Sequence, residues 1–188
     1  YEVDFFALRS SEQERNYLVD GVSVKELHIR KYRGQNSLKY MFSYLVFTIK
    51  AFLLILKNYN KNKYDIYHIH NMPNFLVFSA IVPRLFGKKI ILDIHDTMPE
   101  TYLSKFVGKA GKFIFRLFCI EESICCAFAH QLICVNHVQK KILVERGIDP
   151  NKIHVSINVP DNKRFFVRHE RCNAGSPDNE FNVVYHGT

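Results

Sequence analysis

The sequence predicts an α/β fold built on a doubly wound, mostly parallel sheet. Short apolar runs bounded by turn residues alternate with longer stretches of helical periodicity, the pattern of strands joined by right-handed crossovers. Two of those runs, within YDIYHIHNMP (64–73) and KKIILDIHDTMPE (88–100), end abruptly in imidazole, carboxylate and amide side chains. A buried parallel strand that terminates in polar groups is how open α/β sheets build a ligand crevice beyond their carboxyl edge.

The 188-residue chain suits one domain with a sizeable core and is too short for two full ones. A 47% hydrophobic and 14% aromatic composition belongs to a packed globular body. The formal charge of +8 and the basic pI are compatible with nucleic acid, an anionic membrane surface or negatively charged small substrates. The cations are spread out (Arg30, Lys31, Arg33; Lys57, Lys61, Lys63; Lys105, Lys109, Lys112), with no dense tract and no nucleic-acid-binding signature. A solvated basic face, or one turned to a membrane, therefore ranks ahead of nucleic acid. Five cysteines form no CxxC pair, and Cys119, Cys125, Cys126 and Cys134 sit in apolar patterns. That suits free core thiols in a reducing cytosol. No signal peptide is visible. The chain begins on strand-like residues without a methionine and stops just after an apolar strand, so it is expected to be part of a larger protein.

In order, residues 1–8 (YEVDFFAL) read as a strand and 10–20 as a polar loop. Gly21 opens GVSVKELHIRK, where Val22, Val24, Leu27 and Ile29 alternate loosely into a second strand. Residues 37–58 are strongly apolar, but Lys39 and Lys50 interrupt the run. It reads as a buried or half-buried helix, or as an interfacial helix with its lysines toward lipid headgroups. A strand over 64–70 precedes a helix over 74–86 that ends at Gly87 in a C-cap position. The strand 88–94 follows, and 97–111 is irregular, broken by Pro99 and Gly108. A helix over 112–129 carries Phe113, Leu117, Ile120, Ile124 and Phe128 at helical spacing. Then come a strand at 131–135, a helix at 138–146 capped by Gly147, and a turn at Asp149-Pro150 into a strand at 152–157. From 158 to 180 the composition shifts to Asn, Asp, Arg, Pro, Gly and Ser, a linker or domain boundary. FNVVY (181–185) is a new strand ending in His186-Gly187-Thr188.

Neither a GxGxxG nor a Walker A loop is present, so the chain shows no nucleotide fingerprint of its own. Gly187 stands where a strand-to-helix phosphate turn would, but the helix it would open is missing. His95 sits beyond a buried strand with Asp93 and Asp96 beside it, and Asp93 and His95 share a face if the strand persists. A carboxylate there would hold the tautomer and raise the basicity of the imidazole, for hydrogen bonding to a sugar hydroxyl or for proton transfer. The other reading is a hydrogen-bonded loop histidine near helix caps, since Asp96 and Thr97 are good N-caps. His68 and His70 alternate on the neighbouring strand, with Asn71 after them. Spacing places no third ligand beside this HxH pair, so structural or substrate-contacting histidines are expected in place of a metal site. Glu121 and Glu122 lie in an apolar helix, with surface placement the default and a bracing role for one the alternative. No GxSxG hydrolase pattern appears, and the vicinal Cys125-Cys126 pair sits where a thiolate is disfavoured.

The order of these motifs resembles the N-terminal domain of the retaining, group 1 (family four) glycosyltransferases, which have two Rossmann-like domains facing across a cleft. The likeness runs through YDIYHIHN, KKIILDIHDTMPE, EESICCAFAHQLICVNHVQKKILVERGIDPNKIHVSINVPDNKRF and FNVVYHGT, and covers most of the chain from Tyr64 onward. IILDIHDTMPE is close to the version seen in enzymes that build bacterial surface polysaccharides. The resemblance implies an acceptor-side domain over 1–158, an interdomain crossing over 159–180, and the first strand of a truncated donor-binding domain over 181–188. It implies that His95 contacts the transferred sugar near the reacting centre, with His70, Asn71, Asp96, Thr97 and Glu100 on the acceptor side of the cleft. Glu122 matches a supporting glutamate of the family, although His130 stands where the family has an aspartate. Asn158 and Asp161 match the Asn…Asp element that leads out to Phe165, and Gly187 matches the first glycine of the second domain, near the donor diphosphate. The family's first strand would precede Tyr1 and its donor-binding residues would follow Thr188, so these 188 residues alone are expected to be inactive.

The expected function is therefore transfer of a hexosyl unit, with retention, from a nucleotide sugar to a saccharide or lipid-linked acceptor, in surface polysaccharide or glycolipid synthesis. No metal or other cofactor is expected, and no nucleic acid. The expected location is the cytoplasm, peripheral on the inner face of the cell membrane, with an anionic lipid surface as partner. The competing reading is a non-catalytic, flavodoxin-like binding or interaction module.

Overall fold

The computed structural model describes residues 1–9, 16–30, 37–59, 64–71, 73–103 and 109–159. Residues Tyr1–Ile157 form one compact unit, and Asn158–Thr188 form a second, of which only Asn158 and Val159 are among the described residues. The linker at 158–180 beyond Val159, the strand at 181–185, Asp161 and Gly187 therefore lie outside them.

Among its described residues the first unit holds two sheets. In the first, β1 (Val3–Arg9), β2 (Asn16–Val19) and β3 (Val22–Arg30) take the order β1-β3-β2. β1 and β3 are parallel, and β2 and β3 are antiparallel. Residues 16–19 thus form an edge strand where the sequence reads as polar loop. Asp20 and Gly21 make the connection at φ 49 and 81, directly between the paired residues Val19 and Val22. A two-residue Asp-Gly link with both φ values positive matches the right-handed twist of a hairpin, and it was the local signal for β2.

The second sheet is wholly parallel, β4 (Ile66–His70), β5 (Lys89–Ile94), β6 (Gln131–Cys134) and β7 (Ile153–Val155), in the order β4-β5-β6-β7. The mostly parallel, Rossmann-like α/β architecture expected from the sequence is present. The crossovers use a 3-10 helix (Asn74–Ala80) with α2 (Ile81–Leu85), then α3 (Met98–Leu103) with α4 (Lys109–Phe128), then α5 (His137–Glu145) with a 3-10 turn (Pro150–Lys152). The single helix expected over 74–86 is divided because of Pro83. In a continuous α-helix its ring would clash with the Ser79 carbonyl, whereas starting α2 at Ile81 puts Pro83 in a first turn that needs no N–H. Both Gly87 and Gly147 close their helices at positive φ, 76 and 88. At each, the glycine N–H and the next N–H return to carbonyls of the last helical turn, as in Gly147 N to Val144 O (2.9 Å) and Ile148 N to Leu143 O (3.1 Å).

Ile90, Leu92 and Ile94 of β5 are fully buried, together with Leu132 and Cys134 of β6. They pack with Tyr67, Val77, Ala80, Cys125, Cys126, Ala129, Leu143 and Ile153 into the main core. A smaller core joins the sheets: Tyr44 and Phe47 of α1 (Ser37–Asn58) meet Leu76, with Leu8, Leu27 and Ile69 against them. At the seam, the Tyr64 hydroxyl donates to the Asp4 carboxylate, which also accepts from Lys25 Nζ at 2.7 Å.

α4 turns its regularly spaced Phe113, Leu117, Ile120 and Ile124 outward, and Phe128 of that series packs on the core. The inward face is instead Glu122, Cys125, Cys126 and Ala129. The carboxylate on this inward face is paired with the Arg146 guanidinium. α1 is half-buried, as expected, with Phe42, Leu45, Ile49, Leu53 and Leu56 along its open face.

Candidate functional site

The site begins with register. β4 and β5 run parallel with His70 opposite Asp93, so the alternation that puts His68 and His70 on one face of β4 also brings them to the Asp93 carboxylate. His95 follows immediately after β5. Three imidazoles consequently converge on one carboxylate oxygen. From Asp93 Oδ2 the distances are 3.1 Å to His68 Nε2, 3.3 Å to His70 Nδ1 and 3.7 Å to His95 Nε2. His70 Nδ1 and His95 Nε2 are 2.9 Å apart, and the His68/His70 and His70/His95 rings stack. The Phe5 ring of β1 approaches His70 edge-on, with centroids 6.2 Å apart. Partial burial pulls the pKa of His70 below the ordinary histidine value; the adjacent His68 and, more weakly, His95 add to this, and Asp93 opposes it.

His95 is held by its backbone. Its N–H donates to Asn71 Oδ1 (2.8 Å) and its carbonyl accepts from Gln139 Nε2 (2.9 Å). Asn71 also donates to the Asp96 carbonyl (2.7 Å) and to Asn74 Oδ1 (3.0 Å), so its buried side chain ties the end of β4 to the loop after β5. Gln139 is set in turn by the N-terminus of α5, where Asn136 caps the Gln139 N–H at 2.8 Å and Gln139 Oε1 accepts from Val135 N. The imidazole of His95 projects from a clamped backbone with its ring open to solvent.

The other expected site residues fall in different places. Asp96 is exposed beside His95, whereas Thr97 is buried and its carbonyl accepts from the Thr101 N–H and hydroxyl at the start of α3. Glu100 and Glu122 both accept from the Arg146 guanidinium, which bridges α3, α4 and the end of α5. This corrects the default surface placement of the Glu121-Glu122 pair. Glu122 is 1% exposed, and Glu121 bonds to Asn74 Nδ2 at 3.0 Å. Burial raises the pKa of both carboxyls above the usual range, against the opposing effect of their hydrogen bonds. Burial likewise pushes the Cys125 and Cys126 thiols well up, so this vicinal pair is inert core. His130 has a local role: its Nδ1 accepts the Ile90 N–H at 3.0 Å while its own N–H bonds Ile90 O, joining the starts of β5 and β6. Asn158 is exposed, in the second unit.

Sequence reasoning singled out Asp93 and His68 but did not place them in the site; strand pairing brings them there. It missed Asn74, Gln139 and Arg146. Only the Asn-x-x-Gln cap spacing at 136–139 signalled any of these, and it signalled a helix start, not a contact with His95.

A Rossmann-like parallel sheet with a histidine and carboxylate cluster at its carboxyl edge defines a ligand-binding α/β domain. Residues 1–159 match Glycosyltransferase Family 4, and the chain belongs to that family. It is also similar to an "Uncharacterized 41.2 kDa protein in cps region" of Klebsiella pneumoniae, 26% identical over 140 residues. That match covers 72% of this chain and 38% of the relative.

Proposed function

We propose that this chain is the acceptor-side part of a retaining glycosyltransferase that moves a hexosyl unit from a nucleotide sugar to a saccharide or lipid-linked acceptor during surface polysaccharide synthesis. Family membership supports the reaction class, and the capsule-region label of the relative supports the pathway. The observation that carries the reading is His95: a solvent-open imidazole on a backbone clamped from two sides, at the strand ends where α/β sheets take ligands. In this reading His95 contacts the transferred sugar, and His70, Asp96 and the clamp residue Asn71 shape the acceptor side with Thr97 and Glu100. Transfer relies on positioning and on stabilising the departing diphosphate, with no metal assigned to the step.

The acceptor side also suits a lipid surface. α1 and α4 both pack against the 3-10 helix at Asn74–Ala80, and each leaves an apolar row exposed, Phe42 to Leu56 and Phe113 to Ile124. Lys39, Lys50, Lys57, Lys112 and Arg116 are exposed on the same two helices. Apolar rows edged with cations fit an anionic bilayer interface, and among the described residues no helix is long and apolar enough to cross a membrane. In this reading the protein works on the inner face of the cell membrane.

The test is transfer by the full-length protein from a panel of labelled nucleotide sugars to lipid-extracted and saccharide acceptors. His95→Ala should lower the rate by about 100-fold or more with the fold intact, in the range expected for a positioned imidazole. Transfer within about twofold of wild type would remove His95 from the site.

A further inference from the structure

The three histidines around Asp93 do more than furnish one wall of a sugar site. We infer that His68 Nε2, His70 Nδ1 and Asp93 Oδ2 form a three-donor site for a late first-row divalent cation of the zinc type, with the fourth position open to solvent. A tetrahedral ion with bonds of about 2.0–2.1 Å to nitrogen and oxygen sets neighbouring donors about 3.3–3.4 Å apart. Asp93 Oδ2 lies 3.1 Å from His68 Nε2 and 3.3 Å from His70 Nδ1, close to that edge. The His68, His70 and Asp93 donor atoms all lie within 4.8 Å of one another.

The scaffold supports the same assignment. His70 and Asp93 are paired residues of adjacent parallel strands, so their separation follows from the sheet and not from side-chain chance. Donors carried by strands lose little freedom on binding. The carboxylate is sheltered, 12% exposed, while the imidazoles are 42–45% exposed, so an ion can enter from solvent and meet its anionic donor at the base. Two imidazoles with one carboxylate select zinc, cobalt, nickel or copper over magnesium or calcium, which prefer oxygen-rich shells.

The sequence alone argued against this, because an HxH pair lacks a third ligand; pairing of β4 with β5 supplies Asp93. A cation bound here takes His70 Nδ1 from its 2.9 Å contact with His95 Nε2 and sets a positive charge beside that imidazole. If His95 contacts the sugar, zinc then inhibits transfer; this consequence rests on the proposed function, whereas the binding does not.

The experiment uses untagged full-length protein stripped with chelator and titrated with Co²⁺ as an optical probe, then with Zn²⁺ in competition. We expect the intense visible bands of four-coordinate cobalt, displacement by Zn²⁺, a rise in melting temperature with Zn²⁺, and none of these with Mg²⁺. His68→Ala and Asp93→Asn should each weaken binding by at least about tenfold, since even outer-shell changes at metal sites cost that much. His154→Ala, on β7, should bind as the wild type does. Circular dichroism shows which variants fold, and His68→Ala, at a partly exposed position, suffices if Asp93→Asn does not. Absence of saturable binding to the wild type, or equal binding to folded His68→Ala, would overturn the site. Cation binding without any glycosyl transfer would keep the site and remove the transferase reading.

Discussion

Arg146→Met isolates a buried carboxylate. Glu122 is 1% exposed, and its charged partner among the described residues is Arg146, whose guanidinium also serves Glu100 and faces the Phe115 ring at 5.6 Å. Methionine replaces the stem of the arginine and removes both bonds. Breaking a buried pair by deleting one partner costs about 3–5 kcal/mol, because the remaining charge has neither water nor counter-ion. Arg146 is itself 15% exposed and Glu100 41%, so the Glu100 contact adds little, and about 3 kcal/mol is the expected loss. For a body of this size that corresponds to a fall of about 6–12 °C in melting temperature. Glu122→Gln should be milder, about 1–2 kcal/mol, since Arg146 keeps Glu100 and some water. The loss in Arg146→Met should shrink in acid. The Glu122 carboxyl already sits above its ordinary value of 4.5 through burial, and without the cation it takes up a proton more readily. Urea unfolding followed by far-UV circular dichroism measures this, as the chain has no tryptophan. An Arg146→Met cost below about 1 kcal/mol, or below that of Glu122→Gln, would refute the reasoning.

Two further outcomes are expected. Glu121 also has a raised pKa, from burial, so the native state holds its proton where the unfolded chain releases it, and its contribution to stability falls as pH rises above 4.5. Glu121→Gln removes that slope, so its stability relative to wild type should increase between about pH 4 and about pH 8; a flat or opposite difference would contradict the burial. On the outer face of α1, Ile49→Glu with Leu53→Glu should leave the melting temperature nearly unchanged but reduce co-sedimentation with anionic vesicles by more than about tenfold, given about 1.5 kcal/mol or more for each apolar side chain withdrawn from the bilayer. Equal, negligible sedimentation of both forms would remove the membrane assignment.

Most of the fold was legible because strands and helices announce themselves through period. The buried run at β5, the glycine stops at Gly87 and Gly147, and the Asn136 cap are local signals with local outcomes. β2 was legible in principle through Asp20-Gly21, but the polar run before it concealed a short, wholly exposed edge strand. The outward row of α4 was not legible. Periodicity shows that Phe113, Leu117, Ile120 and Ile124 share a face; it cannot show whether that face meets the sheet, and here the space beneath α4 is filled by two cysteines, an alanine and a paired glutamate.

By itself the sequence determined the class of fold and the strand ends at which polar residues gather, because each depends on residues close together in the chain. The partners of those residues were decided by tertiary structure. Asp93 meets His68 and His70 across 25 and 23 residues, Gln139 holds His95 across 44, and Arg146 reaches Glu122 across 24. A parallel sheet has no local turn to set its register, so burial of Ile90, Leu92 and Ile94 sets it instead, and that register is what gathers three histidines around one carboxylate.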